Sequence, residues 1–182
     1  ALEPARPHGA SPFFVSRRGD GAVYGLNPAA GLIVDVGGFE RLAASDEVES
    51  LRRALALYED DYLPDSLYED WPAAETQRLR NLYLLSAEKL ARHLLRAATE
   101  QDGEARAEDR QGALDEAIAI CQEILGRDSC WEAAYRLLME IYAAQGSRQA
   151  IHDVYARCVS TLRQELDVSP APETHALFEA LS

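Results

Sequence analysis

A short acidic and aromatic segment, residues 58–71, holds the densest set of side chains that could do chemistry. It contains four aromatic residues and six carboxylates, which are Glu59, Asp60, Asp61, Asp65, Glu69 and Asp70. Clustered carboxylates can bind a hard cation such as calcium, or share a proton as a general acid and base. Their spacing does not match the calcium loop of an EF-hand, and no His or Lys lies nearby. We therefore interpret the segment as a structured turn with solvated acids, whose aromatic rings pack on the next helix.

The other residue types that commonly carry catalysis are scattered. No serine lies in the Gly-x-Ser-x-Gly motif of a nucleophile elbow. The glycine-containing run at residues 19–21 precedes a predicted strand, so it offers no helix N-terminus for phosphate. The histidines lie on separate polar stretches and are His8, His93, His152 and His175. The sequence therefore predicts neither an enzyme nor a cofactor, and it suggests no small-molecule substrate.

Three cysteines, Cys121, Cys130 and Cys158, are separated by long gaps. Zinc sites use pairs two to four residues apart, so this spacing predicts no metal site. Each thiol lies in or beside an apolar helical pattern, where a free cysteine packs as a small hydrophobe. We expect free, packed thiols and a reducing cytoplasmic location.

The charge of the chain limits its direct partners. The 182 residues carry a formal net charge of -13 and are 47% hydrophobic. Since affinity for nucleic acid depends largely on Lys and Arg, a chain this acidic is not expected to bind DNA by itself. No run approaches 18 consecutive apolar residues, so no membrane span is predicted. Residues 1–27 carry three arginines and two carboxylates, which places the whole negative excess in the remainder of the chain.

The N-terminal piece differs from the rest in its pattern. Apolar and aromatic residues flank Gly19-Asp20-Gly21, and an Asp-Gly pair tolerates the backbone angles of a tight hairpin. We predict strands at about residues 12–18 and 22–26, with a third around residues 32–34. An isolated hairpin is marginal in water, so this one needs a surface to pack against.

From Phe39 onward the apolar residues recur with a helical period. We predict a helix after Ser45-Asp46, a long helix from Trp71 to about residue 100, and a polar connection over residues 101–111. Further helices contain residues 114–125, 135–142, 151–162 and 177–181. Residues 129–132 match a capping box, and Gly146 is typical of a glycine that ends a helix. The body is predicted to be all α.

A 34-residue spacing relates two of these helices. It separates Ala117 from Ile151, Cys121 from Tyr155 and Ile124 from Cys158. This is the period of the tetratricopeptide repeat, a pair of helices that buries its apolar stripe by stacking on neighbours. In that register the inner wall of the second unit carries Arg136, Glu140 and Ala144. A basic cluster of Arg92, His93 and Arg96 on the preceding long helix is a further candidate contact for an acidic partner.

Several motifs from Asp35 to the C-terminus together carry a resemblance. They are Val34-Asp35-Val36, Phe39-Glu40-Arg41-Leu42, Ala54-Leu55-Ala56-Leu57-Tyr58, Asp61-Tyr62-Leu63-Pro64, Glu69-Asp70-Trp71, Glu75-Thr76-Gln77-Arg78-Leu79-Arg80, Glu165-Leu166-Asp167-Val168-Ser169-Pro170 and Pro172-Glu173-Thr174. This series resembles the bacterial transcriptional activation domain of Streptomyces antibiotic regulatory proteins and related winged-helix regulators.

The resemblance implies a mainly α fold, a right-handed array of tetratricopeptide-like helical hairpins, over residues 35–182. It implies that residues 1–34 are the end of a winged-helix DNA-binding domain. Residues 12–27 would be its closing hairpin, in which Tyr24 and Leu26 match the family's last strand, and residues 1–4 would end its recognition helix. The DNA reader itself would then lie upstream of this chain.

The resemblance further implies a function in protein contact. The chain would be the non-catalytic interaction and oligomerisation part of a DNA-binding transcriptional activator. Its partners would be other protomers or RNA polymerase, and it would reach DNA only through the upstream domain. The alternative is a tetratricopeptide adaptor or chaperone scaffold unrelated to transcription.

Overall fold

The computed structural model describes residues 14–18, 22–27, 35–61, 70–100 and 107–182. These residues form two strands and seven helices, so the fold is mainly α. The elements are β1 (Phe14–Arg18), β2 (Ala22–Leu26), α1 (Asp35–Ala43), α2 (Val48–Leu57), α3 (Asp70–Glu100), α4 (Ala107–Arg127), α5 (Glu132–Ala144), α6 (Arg148–Leu166) and α7 (Pro172–Leu181). The chain divides into two compact units, Ala1–Gly38 and Phe39–Ser182.

In the first unit, β1 and β2 pair antiparallel. The register aligns Phe14 with Leu26 and Arg18 with Ala22. The predicted turn at residues 19–21 and the predicted third strand around residues 32–34 lie outside the described residues.

A stack of aromatic rings holds the first helices of the second unit together. The ring of Tyr58, which follows α2, lies 5.4 Å from that of Phe39 in α1 and 4.8 Å from that of Tyr83 in α3. The guanidinium of Arg127, at the end of α4, lies 4.4 Å from the centre of the Tyr83 ring. A cation over an aromatic face is attracted by the ring quadrupole, so four elements meet at this stack.

Helices α3 and α4 pack against each other as a hairpin. The side chains of Leu84 and Leu90 in α3 and of Ile124 in α4 are fully buried between the helices of the unit. Burying a side chain of this size stabilises the fold by about 1.5–3 kcal/mol. This apolar stripe explains why α3, with 31 residues, stays helical along its length.

A second hairpin follows, formed by α5 and α6. Gly146 between them has a φ of 73°, a left-handed conformation that costs glycine little, so the sequence position predicted for a helix end is confirmed. Helix α5 buries Ala134, Tyr135, Leu137, Leu138, Met139 and Ile141, and α6 buries Ile151, Cys158 and Leu162. Helix α5 is therefore the most enclosed part of this hairpin.

Two local predictions were wrong. The capping box at residues 129–132 does not form, because Trp131 is the N-cap of α5 and the Glu132 carboxylate bonds to α7 instead. The connection predicted over residues 101–111 is also shorter, since α4 begins at Ala107. Glu108 and Asp109 lie in the first turn of α4, where carboxylates interact favourably with the helix dipole. Both side chains are exposed, as they would also be in a loop.

The prediction that the cysteines pack as small hydrophobes is confirmed for Cys121 and Cys158, which are buried in the helical core, whereas Cys130 is half-buried. Among the described residues, no helix is both long enough and apolar enough to cross a membrane.

Candidate protein-contact surface

Helices α3, α5 and α7 form a row in which each contacts the next. Helix α3 packs on α5, and α5 packs on α7. Helix α4 packs on both α3 and α5, and α6 packs on both α5 and α7. We call the three alternate helices the α3–α5–α7 row. Two groups of polar side chains connect its members.

The first polar group joins α5 to α7. The hydroxyl of Thr174 donates to Oε2 of Glu132 at 2.6 Å, and Nη1 of Arg136 donates to Oγ1 of Thr174 at 2.8 Å. Thr174 is fully buried. Because a buried hydroxyl without partners is costly, these two bonds allow a polar residue to sit inside the α5–α7 contact.

The same glutamate also satisfies the start of α7. The backbone N–H of Ala171, the N-cap residue, donates to Glu132 Oε2 at 2.9 Å. The first N–H groups of a helix have no partner inside the helix, and alanine has no side-chain oxygen to accept from them. A carboxylate at this end also interacts favourably with the helix dipole. Glu132 thus supplies from α5 the cap that the sequence of α7 lacks.

The second polar group joins α3 to α5. The carboxylate of Glu88 accepts a hydrogen bond from Arg92 at 3.0 Å and another from Nε1 of Trp131 at 3.1 Å. Trp131 is the N-cap residue of α5, so its indole anchors the start of that helix on α3. The Glu88 side chain is only 19% exposed, which strengthens both bonds relative to a solvated pair.

Glu140 lies near this second group. Burial raises the pKa of the Cys121 thiol to about 12, the nearby carboxylates of Glu88 and Glu140 raise it further, and Arg92 opposes them. Burial also raises the pKa of Cys158 to about 12, so both thiols are neutral and unsuited to act as nucleophiles at neutral pH.

Another side of α3 faces the turn between α1 and α2. The ammonium group of Lys89 donates to the carbonyl oxygen of Ser45 at 2.9 Å and forms an ion pair with Asp46. That pair lowers the pKa of Asp46, and His93 adds a smaller effect in the same direction. His93 therefore lies close enough to Asp46 for its charge to act on that carboxyl.

The structure distributes the six predicted contact residues over different places. Arg136 is half-buried and holds Thr174, Arg92 holds Glu88, and His93 lies near the α1–α2 turn. Glu140 and Ala144 are half-buried on α5, and Arg96 is exposed on α3. A role for these residues in binding a partner stays a prediction.

Sequence reasoning missed three residues that organise the row, namely Trp131, Glu132 and Thr174. Thr174 belongs to the closing Pro172-Glu173-Thr174 motif, but nothing in the motif names its partner. Glu132 lies 42 positions away from Thr174, and only the packing of α7 on α5 brings them together.

The acidic segment is described only in part. The hydroxyl of Tyr58 donates to Asp61 at 2.9 Å, and Asp61 lies 3.4 Å from a guanidinium nitrogen of Arg80. Residues 62–69 lie outside the described part of the chain. Within the described ranges, no three His, Cys, Asp or Glu residues form a group that could hold a metal ion.

The described helices and their spacing can be compared with known proteins. Comparison with curated proteins and with solved structures gave no significant match. Comparison with protein families matches residues 36–182 to the bacterial transcriptional activator domain. That match covers the whole of the second unit, Phe39–Ser182, and agrees with the resemblance seen in its motifs. The chain belongs to the bacterial transcriptional activator domain family and has a role in regulating transcription.

Proposed function

We propose that this chain is the non-catalytic protein-contact domain of a DNA-binding transcriptional activator. It acts by contacting other protomers or RNA polymerase in the cytoplasm. Family membership supports transcription over the alternative of an unrelated adaptor or chaperone. The observation that carries the proposal is the α3–α5–α7 row, because hydrogen bonds between its helices fix the positions of the helices that carry its charged side chains. Preorganised charges of this kind give a surface specificity for its partner.

The arrangement of helices supports a tetratricopeptide-like array. Two successive hairpins, α3 with α4 and α5 with α6, stack so that their first helices touch. The 34-residue spacing found in the sequence relates α4 to α6, the second helices of the two hairpins. Stacked repeats leave one surface lined by first helices, and this is the surface we assign to partner binding.

We further propose that residues 1–34 form the end of a winged-helix domain and that residues 35–182 are the activation domain. The antiparallel pairing of β1 with β2 supports a wing at this position. Contact with DNA would then depend on the upstream domain, because the net charge of -13 opposes binding by this chain alone.

The test is a tethering assay. The chain is fused to an unrelated DNA-binding protein, and transcription is measured from a reporter that carries the matching site. The double charge reversal Arg96→Glu with Glu140→Lys alters the α3–α5–α7 row without changing net charge. We expect it to abolish most of the activation while the helix content stays unchanged.

The matched control is Arg163→Glu with Glu165→Lys. Both residues are exposed on α6, outside the row, and the swap also preserves net charge. Arg136 is left unchanged because it already holds α7. Equal activity in the two double variants, or no activation by the unaltered fusion, would refute the proposal.

A further inference from the structure

We propose that residues 39–61, which hold the end of α1 and all of α2, form a strap whose attachment to α3 and α4 loosens as ionic strength rises. The rest of the second unit stays folded when the strap opens. We call these residues the α1–α2 strap. The strap follows the first unit along the chain, so its opening would lengthen the connection between that unit and α3. This motion goes beyond the proposed function and does not depend on it.

The first observation is the position of the ion pairs that join different parts of the fold. Among the described residues, four ion pairs connect side chains that do not belong to one helix, and all four attach the strap to α3 or α4. They are Glu40–Arg78, Asp46–Lys89, Asp61–Arg80 and Arg52–Glu116. The other ion pairs of this part of the chain each lie within a single helix.

The second observation is the balance of charge between the strap and α3. The strap carries seven carboxylates and three arginines, whereas α3 carries five basic and four acidic side chains. Three of the basic side chains of α3, namely Arg78, Arg80 and Lys89, pair with carboxylates of the strap. Salt weakens such attraction, because the screening length falls from about 10 Å at 0.1 M to about 3 Å at 1 M.

The third observation is that solvent reaches these pairs. The side chains of Arg52 and Glu116 are 42% and 36% exposed, although two hydrogen bonds of 2.7 Å join them. Exposed ion pairs are screened by salt, and buried polar bonds are screened much less. Helix α7, in contrast, is held by the bond from the buried hydroxyl of Thr174 to Glu132. Salt should therefore act on the strap and leave the α5–α7 contact unchanged.

The apolar contacts of the strap are few for its length. Its buried apolar residues are Phe39, Ala43, Leu51, Ala54 and Tyr58, and two of these are alanines. Helix α5 buries six side chains within 13 residues. Elements that bury little apolar surface open at a lower free energy than the rest of a protein. The strap therefore depends on its ion pairs more than the later helices do.

The experiment measures amide hydrogen exchange of the whole chain in 0.1 M and in 1 M KCl. Amides of α2 report on the strap, and amides of α5 are the internal reference. We expect the protection of α2 relative to α5 to fall at least about fourfold in 1 M KCl. An exposed ion pair changes an equilibrium by at least about 1.4-fold, and four pairs contribute together. A ratio that stays constant or rises with KCl overturns the proposal.

A quadruple variant tests whether the ion pairs are the cause. Arg52→Gln with Glu116→Gln and Asp46→Asn with Lys89→Gln remove two pairs and preserve net charge. We expect α2 to be less protected in 0.1 M KCl and its protection to change less between the two KCl concentrations. Protection of α5 shows that the variant is folded.

The matched control is Arg163→Gln with Glu165→Gln. Both residues are exposed on α6, neither belongs to an ion pair of the described residues, and net charge is again preserved. The control should respond to KCl as the unaltered protein does. An equal response of the quadruple variant and the control would show that the pairs do not hold the strap, and it overturns the proposal.

Discussion

Glu132 at the start of α5 accepts a hydrogen bond from the buried hydroxyl of Thr174 in α7, at 2.6 Å. The same oxygen accepts the N–H of Ala171, so one carboxylate both caps α7 and holds it on α5. Because these bonds lie inside the contact, this polar pair helps to fix how α7 docks on α5.

Replacing Thr174 with Val should weaken this docking. The change preserves shape but removes a group that donates to Glu132 and accepts from Arg136. Leaving buried polar groups without partners costs about 1–3 kcal/mol. We expect the free energy of unfolding in urea to fall by about that amount. Thr174→Ser, which keeps the hydroxyl, is the control and should lose less; equal losses would mean that the hydroxyl is not what matters.

Two adjacent leucines of α3 allow a direct test of the packing. Leu84 is 1% exposed and Leu85 is 54% exposed. A buried Leu→Ala change costs about 2–5 kcal/mol, because a cavity adds to the lost burial. Leu84→Ala should therefore destabilise the chain by that amount in thermal or urea unfolding. The free energy of unfolding of Leu85→Ala should stay within about 0.5 kcal/mol of that of the unaltered protein. A similar loss of stability in both variants would contradict the orientation of α3 described above.

Arg127 should contribute to the stability of the fold through its contact with two aromatic rings. Its guanidinium lies 4.4 Å from the centre of the Tyr83 ring and 5.3 Å from that of Tyr58. Contacts between a cation and an aromatic face are worth about 0.5–2 kcal/mol. We expect Arg127→Ala to lower the free energy of unfolding by about that amount. Arg127→Lys keeps the charge but not the flat group that stacks, so it should recover part of the loss. A wild-type stability for Arg127→Ala would show that the stack contributes nothing.

Stability should decrease in alkaline solution. Burial raises the pKa of Cys121 and Cys158 from 9.0 to about 12, so the folded chain keeps these protons when the unfolded chain has lost them. Their contribution is complete below pH 9 and is lost progressively as the pH rises toward 12. Urea unfolding at pH 8 and at pH 10.5 should show the decrease. The Cys121→Ala and Cys158→Ala double variant should show a smaller one, and an unchanged slope would assign the effect to other groups.

The periodicity of the sequence was enough to predict the helical body. Apolar residues such as Leu84, Leu90 and Ile124 recur at helical spacing because each helix needs one buried face. Gly146 identified a turn for the same local reason, since its left-handed conformation costs little without a side chain. Local rules predict local geometry well.

The capping-box prediction failed because Glu132 bonds to groups of another helix instead of to its own helix. Glu132 fits a capping box within its own helix, yet the neighbouring helix offers it a backbone N–H and a hydroxyl together. His93 and Arg92 are adjacent in sequence, but successive residues point to different sides of a helix, so they serve different contacts. The packing of the helices decides which distant groups meet. The spacing of residues within one helix does not predict these contacts.

Lys89 is the only lysine in the chain, and its ammonium group binds Ser45 and Asp46 at the turn between α1 and α2. All the other residues counted as Lys or Arg are arginines. The guanidinium group of arginine does not react with acetylating or amine-coupling reagents under ordinary conditions. Lys89 is therefore the one lysine side chain of the sequence that a lysine acetyltransferase, a biotin ester or an amine-reactive dye can modify. Modifying it removes the charge that binds Asp46, so labelling by this chemistry alters the attachment of α1 and α2 and is not a neutral tag.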